Sequence, residues 1–149
     1  MGFISKNITY KEATHSETAI DKGVDNNPNV VQIESMRNVA EKIFQPVREH
    51  FNKPMRINSF FRSKELNKAI GGSGSSQHCK GEAIDVKGLS GLTNKEIFDY
   101  IRENLEFDQL INEYDYKWIH FSLKLEGGNR SQVLEAYKNE SGKTKYKSI

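Results

Sequence analysis

The stretch Ser76-Gln77-His78-Cys79-Lys80-Gly81-Glu82-Ala83-Ile84-Asp85, with Trp118-Ile119-His120 further along, constrains this chain more than any other feature. It offers two imidazoles and one carboxylate, a donor set suited to a divalent metal that keeps one position open. Catalytic zinc centres typically have three protein ligands of these types and leave the fourth position to water or substrate. His78 and Asp85 stand seven residues apart, which fits a loop leading into a strand, with His120 arriving on another strand. The donors therefore ask for a sheet.

The rest of the chain is compatible with that demand. Its 149 residues, 36% hydrophobic and 28% charged, suit one domain with a modest core. A single cysteine excludes an internal disulfide, so the fold must rely on packing, with a metal as the one other available tie. The formal net charge of +2 is too small to argue for nucleic acid, and opposite charges are interspersed. Lys138, Lys143, Lys145 and Lys147 make a local basic tail, a solvated face with a secondary attraction to an anionic wall polymer. No apolar run reaches the length of a membrane span, so no stable membrane association is expected. Residues 1–7 lack the basic-then-apolar pattern of a secretory leader, which predicts a chain that folds in a cytoplasm.

Periodicity and punctuation give a series of short elements. A helix is expected over Ser16–Lys22 with Gly23 as its stop, and Asn26-Asn27-Pro28 reads as a turn. Val31, Met36, Val39, Ala40, Ile43, Phe44 and Val47 recur at helical spacing from Val30 to Phe51, with Pro46 predicting a kink or a second short segment. Met55–Asn58 alternates as a strand. Ser63 caps a short helix to Ile70, with Leu66 and Ala69 inward. Gly71–Ser76 is a loop without the Lys-Ser/Thr of a phosphate-binding P-loop. Ala83–Lys87 reads as a strand, and Thr93 or Asn94 caps a helix through Leu105. Phe107–Glu113 and Trp118–Leu123 form a hairpin across Tyr114–Lys117. Beyond residue 127 the chain is polar, with Val133, Leu134 and Tyr137 expected on one helical turn. Cys79 reads as a packed thiol, and His15 and His50 as surface or helix-end residues.

In the order Ile57-Asn58-Ser59-Phe60-Phe61-Arg62-Ser63, Asn67–Gly72, the Ser-x-His-x-x-Gly-x-Ala-x-Asp block, Phe107–Ile111 and Trp118-Ile119-His120, the chain resembles the peptidase M15 family. That family comprises D-Ala-D-Ala carboxypeptidase-like and phage-endolysin-like zinc peptidases. The resemblance covers roughly residues 10–125. It implies an α+β fold, a small antiparallel sheet bearing a zinc site and flanked by helices. The domain would span 1–125, with 1–30 as an N-terminal extension packed on it and 126–149 as a polar basic tail. By the resemblance His78, Asp85 and His120 are the Zn2+ ligands, Arg62 grips substrate and stabilises the oxyanion, and Ser76 lies close by. Gln77 is a further candidate for orienting substrate.

A metallopeptidase also needs a carboxylate base. Better-known branches of the family carry an acid three positions before the last His, where this chain has Lys117. Hairpin geometry offers Glu113 instead: it sits across from Trp118 and shares a face with His120. Asp115 is the alternative. Trp118, Tyr114 and Tyr116 could line a groove, and core packing is an equal reading for Trp118.

The expected activity is zinc-dependent hydrolysis of an amide bond in bacterial peptidoglycan stem peptides by a monomer. It would serve as a phage or prophage endolysin that accumulates in the host cytoplasm and acts on the wall after release. A D-alanyl-D-alanine carboxypeptidase is one alternative, and a virion-associated or wall-binding protein with weakened catalysis is another.

Overall fold

Caps set the helices. In the computed structural model, which describes residues 2–149, six α-helices run α1 (Tyr10–Thr14), α2 (Glu17–Lys22), α3 (Val30–Val39), α4 (Gln45–Phe51), α5 (Lys64–Ala69) and α6 (Asn94–Asn104). Ser16, Ser63 and Thr93 each accept a backbone N–H of the first turn, and Gly23 closes α2 in the left-handed region. Between α3 and α4 a π turn spans Ala40–Phe44. Pro46 has no N–H to donate and its ring crowds the preceding turn, and the wider π turn absorbs that conflict. The run from Val30 to Phe51 is continuously helical, and the π turn stands immediately before Pro46, where the interruption was expected.

The strands are β1 (Phe3–Ser5), β2 (Ile8–Thr9), β3 (Met55–Ser59), β4 (Ala83–Gly88), β5 (Gln109–Glu113), β6 (Trp118–Ser122), β7 (Gln132–Lys138) and β8 (Thr144–Ser148). The first two pair with each other, and the other six form one sheet in the order β3-β4-β6-β5-β7-β8. The sheet is mixed rather than purely antiparallel: β5 and β7 run parallel, with Gln109 opposite Gln132 and Glu113 opposite Ala136. Residues 133–137, expected as a helical turn, are therefore strand. Their backbone groups find partners on β5 and on β8, which a lone helical turn would not supply.

Alternation divides the sheet's faces. Ile84, Val86, Leu110, Ile119 and Phe121 point to the helices, where Met36, Ile43, Phe44, Ile97, Phe98 and Ile101 complete a core that excludes water. The helical stripe differs in detail from its sequence reading. Val31 is exposed, as is Ala69, while Leu66 and the polar Asn67 are buried on α5. The opposite face of the sheet carries Asp85, His120, Ile111 and Leu134 in one cross-strand row. Helices cover one side, and the chemistry-bearing side chains lie on the other.

Candidate metal centre

His78 sits on a 3-10 turn, Gln77–Lys80, whose first N–H groups are met by Ser76: its Oγ accepts from His78 N at 3.3 Å. The turn ends at Gly81, which has φ +75° and packs against α3. A Cβ there would lie 2.6 Å from the Gln32 carbonyl oxygen and 2.7 Å from Met36 Cγ, so both conformation and space require glycine. Ala83 then starts β4, and Asp85 follows two residues later on the same face. His120 is its direct partner on β6.

The three side chains converge. Asp85 Oδ2 lies 3.4 Å from His78 Nε2, and Asp85 Oδ1 lies 2.8 Å from His120 Nδ1. One donor atom from each falls within 4.8 Å of the others. Tetrahedral donors at zinc distances would be separated by about 3.3 Å, so the donor set needs only to draw together, by about 1.5 Å at its widest, to grip such an ion. His78 Nδ1 donates to the Phe60 carbonyl at 2.8 Å, which fixes the ring with Nε2 turned toward Asp85. Burial pushes the Asp85 carboxyl up, but His78 and then His120 outweigh it and hold the group well below the usual carboxylate range. Such a carboxylate is already in the form that binds a cation.

A groove of about 1000 Å³ opens over this cluster. Arg62 lines one wall, with Nη1 donating to Asn67 Oδ1 at 3.1 Å and Nη2 to Ser59 Oγ at 3.3 Å. Its backbone N–H donates to the His78 carbonyl, so the arginine and the histidine move as one unit. Ser76 and Gln77 line the same wall. Gln77 Nε2 donates to Glu82 Oε1, while its own Oε1 is buried without a partner among the described residues, a natural seat for a water or a peptide N–H.

Glu113 lies in the groove and shares its sheet face with His120, in the register the hairpin predicted, opposite Trp118. It is buried, and burial with the nearby Asp85 charge outweighs His120 to lift its carboxyl to about 7. Asp115, the other candidate base, is exposed in the loop and does not line the groove. Lys117 is likewise exposed. Trp118 is half-buried in the groove beside Tyr114, with ring centroids 5.5 Å apart, whereas Tyr116 turns to Phe98 in the core. Cys79 stays outside the metal cluster, and burial pushes its thiol up, away from nucleophilic use.

Three contributors escaped the sequence reading. Asn26, read there as a turn residue, is buried and clamps the segment around Arg62. Its Nδ2 donates to the Phe61 carbonyl at 3.2 Å, and its Oδ1 accepts from Ser63 N at 2.7 Å. Leu134 and Tyr146, from the strands expected as a tail, also line the groove. The signal for them was weak alternation in a polar segment.

A two-histidine, one-carboxylate cluster in an open groove, with a buried carboxylate of raised pKa beside it, is an arrangement that could hold a metal ion and that metal-dependent hydrolysis calls for. The model of the Peptidase M15 family matches residues 6–122, and the chain belongs to that family of metallopeptidases. No curated protein matches the chain. No helix among the described residues is long and apolar enough to cross a membrane.

Proposed function

We propose that this chain is a zinc-dependent peptidase that hydrolyses an amide bond in bacterial peptidoglycan stem peptides. The observation that carries the reading is the direct pairing of Asp85 with His120, which sets the ligand cluster beside Glu113 in one groove. His78, Asp85 and His120 would hold the ion. When bound, zinc supplies a Lewis acid that polarises the scissile carbonyl and acidifies water.

The chain's own residues supply the remainder. Arg62 binds the substrate carbonyl or a neighbouring carboxylate through its planar guanidinium and faces the negative charge that develops on the carbonyl oxygen. Ser76 and Gln77 orient the peptide from the same wall. Glu113 removes a proton from the attacking water, whose oxygen bonds to the carbonyl carbon. As the carbon–nitrogen bond breaks, Glu113 passes that proton to the leaving amine. Its raised pKa suits a group that must accept and then release a proton near neutrality. Deployment as a phage or prophage endolysin is supported by the resemblance of the motif blocks to phage members of the family.

The test is release of free amino groups from purified peptidoglycan, with chelator and then with restored zinc. Chelator-sensitive, zinc-restored release is expected, and mass spectrometry of the fragments separates endopeptidase from D,D-carboxypeptidase. A folded, zinc-loaded protein that releases nothing would overturn the hydrolase reading and favour a wall-binding role.

A further inference from the structure

The ligands, the candidate base and the family match all lie before residue 123, yet the sheet that forms the floor of the groove does not end there. β7 places Ala136 directly beside Glu113, and β8 places Tyr146 directly beside Ala136. Cross-strand partners share a face, so Glu113, Ala136 and Tyr146 form one row on the open side of the sheet. Adjacent strands lie about 4.8 Å apart, which sets the Tyr146 backbone about 10 Å from that of Glu113. The position between them is alanine, buried to 1% exposure, so only a methyl group separates carboxylate and phenol.

Tyr146 belongs to the groove lining. Its phenol is held up, first by burial and then by the charges of Glu113, Tyr114 and Asp85, so it remains a neutral hydrogen-bond donor. The strand that carries it is fastened at both ends. Tyr114 Oη hydrogen-bonds Thr144 Oγ1 and Lys138 Nζ donates to the same hydroxyl, while Ile149 N donates to the Val133 carbonyl. Beside it, on β5 and β7, Ile111, Leu134 and Ala136 make a small apolar cluster of their own on the same face, separate from the main core and adjoining the ligand row. A donor with its phenol free, on a tethered strand at the sheet edge opposite the β3 edge that leads to Arg62, is suited to a peptide laid over the apolar floor between the two.

We infer that Tyr146 is a substrate-contacting residue, donating from its phenol to a backbone carbonyl of the bound peptide on the side of the groove opposite Arg62. The inference rests on the peptidase reading above and adds a second wall to it: the C-terminal strands belong to the substrate site. Tyr146 packs beside Ala136, and the peptide lies over Ile111 and Leu134.

Trp118 is the sole tryptophan of the chain and lines the same groove, so its fluorescence reports occupancy directly. Zinc-loaded protein in a Glu113→Gln background is titrated with soluble stem-peptide fragments released from peptidoglycan by a glycosidase. Tyr146→Phe, which keeps the ring and removes the donor, is expected to weaken binding about three- to tenfold, the value of one hydrogen bond. Tyr146→Ala is expected to weaken it further. With the native Glu113, kcat/KM for amino-group release should fall by similar factors, with zinc content and melting temperature unchanged in Tyr146→Phe. If the parent protein binds fragments and Tyr146→Phe and Tyr146→Ala bind equally well, the inference is wrong and the peptidase reading stands. If the parent neither binds nor cleaves wall peptides, both fall.

Discussion

Replacing Arg130 by alanine should cost far more than the loss of a surface ion pair. Asp108 is completely buried, and Arg130 reaches it four ways: from its backbone N at 2.9 Å, from Nε at 3.1 and 3.3 Å, and from Nη2 at 2.6 Å. These bonds tie the loop between β6 and β7 to the start of β5, and both Arg130 and Lys124 of that loop line the groove. Removing one partner of a fully buried pair costs about 3–5 kcal/mol, because the other charge is left uncompensated. Two features reduce that figure here. The backbone N–H of residue 130 remains, and Lys124 Nζ lies 3.7 Å away, while the arginine itself is half exposed and screened by water. We expect Arg130→Ala to cost about 2–3 kcal/mol, seen as a lower urea midpoint and a melting temperature reduced by about 5–10 °C.

The pH dependence gives the sharper test of that argument. In the native protein, burial pushes the Asp108 carboxyl up, but its bonds to Arg130 outweigh this and leave the pKa below its ordinary value. A depressed carboxyl contributes stability that is present above the unfolded pKa near 3.8 and lost as pH falls through the folded value. In Arg130→Ala only the residue-130 backbone N–H and Lys124 still oppose burial, so the folded pKa rises above that of the native protein. The deficit against the native protein should then shrink as pH is lowered from 7 toward 4.5. A deficit below about 1 kcal/mol, the range of a surface pair, or one that grows on acidification, would show that buried Asp108 does not depend on Arg130.

Glu113→Gln should abolish peptide hydrolysis while stabilising the chelated protein at alkaline pH. The carboxyl ordinarily titrates at 4.5 and is lifted to about 7 on folding, so folded metal-free protein loses stability as pH rises through that interval. Thermal melts in chelator should diverge between pH 5 and 8, and parallel curves for the two proteins would contradict the burial argument. Gly81→Ala should destabilise by about 2–4 kcal/mol, since left-handed backbone and a clash with the Gln32 carbonyl act together. Urea unfolding measures that cost, and calorimetric zinc titration should show weakened binding because the turn carrying His78 must shift.

The sequence made legible what is local or punctuated. Thr93 with Glu96, Ser63 before Leu66, and Gly23 are chemical marks of helix ends, and each acts where it stands. The β5–β6 register followed from loop length alone, because a hairpin leaves few choices once the turn is fixed. The β5–β7 pairing has no such signal. Parallel neighbours are joined through an intervening strand and a loop, and nothing in Gln132–Lys138 names its partner. Apolar residues at 133, 134, 136 and 137 fit neither period cleanly, because both faces of β7 are partly covered. Asn26 was hidden for a different reason: a turn composition explained it fully, and only the tertiary fold brings its amide to both sides of Arg62.

The departure at Lys117 can be tested on the same geometry. A relocated carboxylate would rescue Glu113→Gln only if position 117 faced the groove. It does not. The residues before it, Tyr114, Asp115 and Tyr116, have φ of 53°, 57° and 62°, a left-handed run that carries the loop away from the sheet face. Asn112 Oδ1 accepts the Tyr116 N–H, and Asn94 Nδ2 donates to the Tyr116 and Lys117 carbonyls, which pins the loop toward α6. Position 117 also stands three residues before His120, an odd interval that puts the two on opposite faces where the chain is extended. The double variant Glu113→Gln/Lys117→Glu should therefore remain as inactive in amino-group release as Glu113→Gln alone, with zinc content intact. Recovery of even a tenth of native turnover would mean that the loop reaches the metal centre, and would move the base from the strand to the turn.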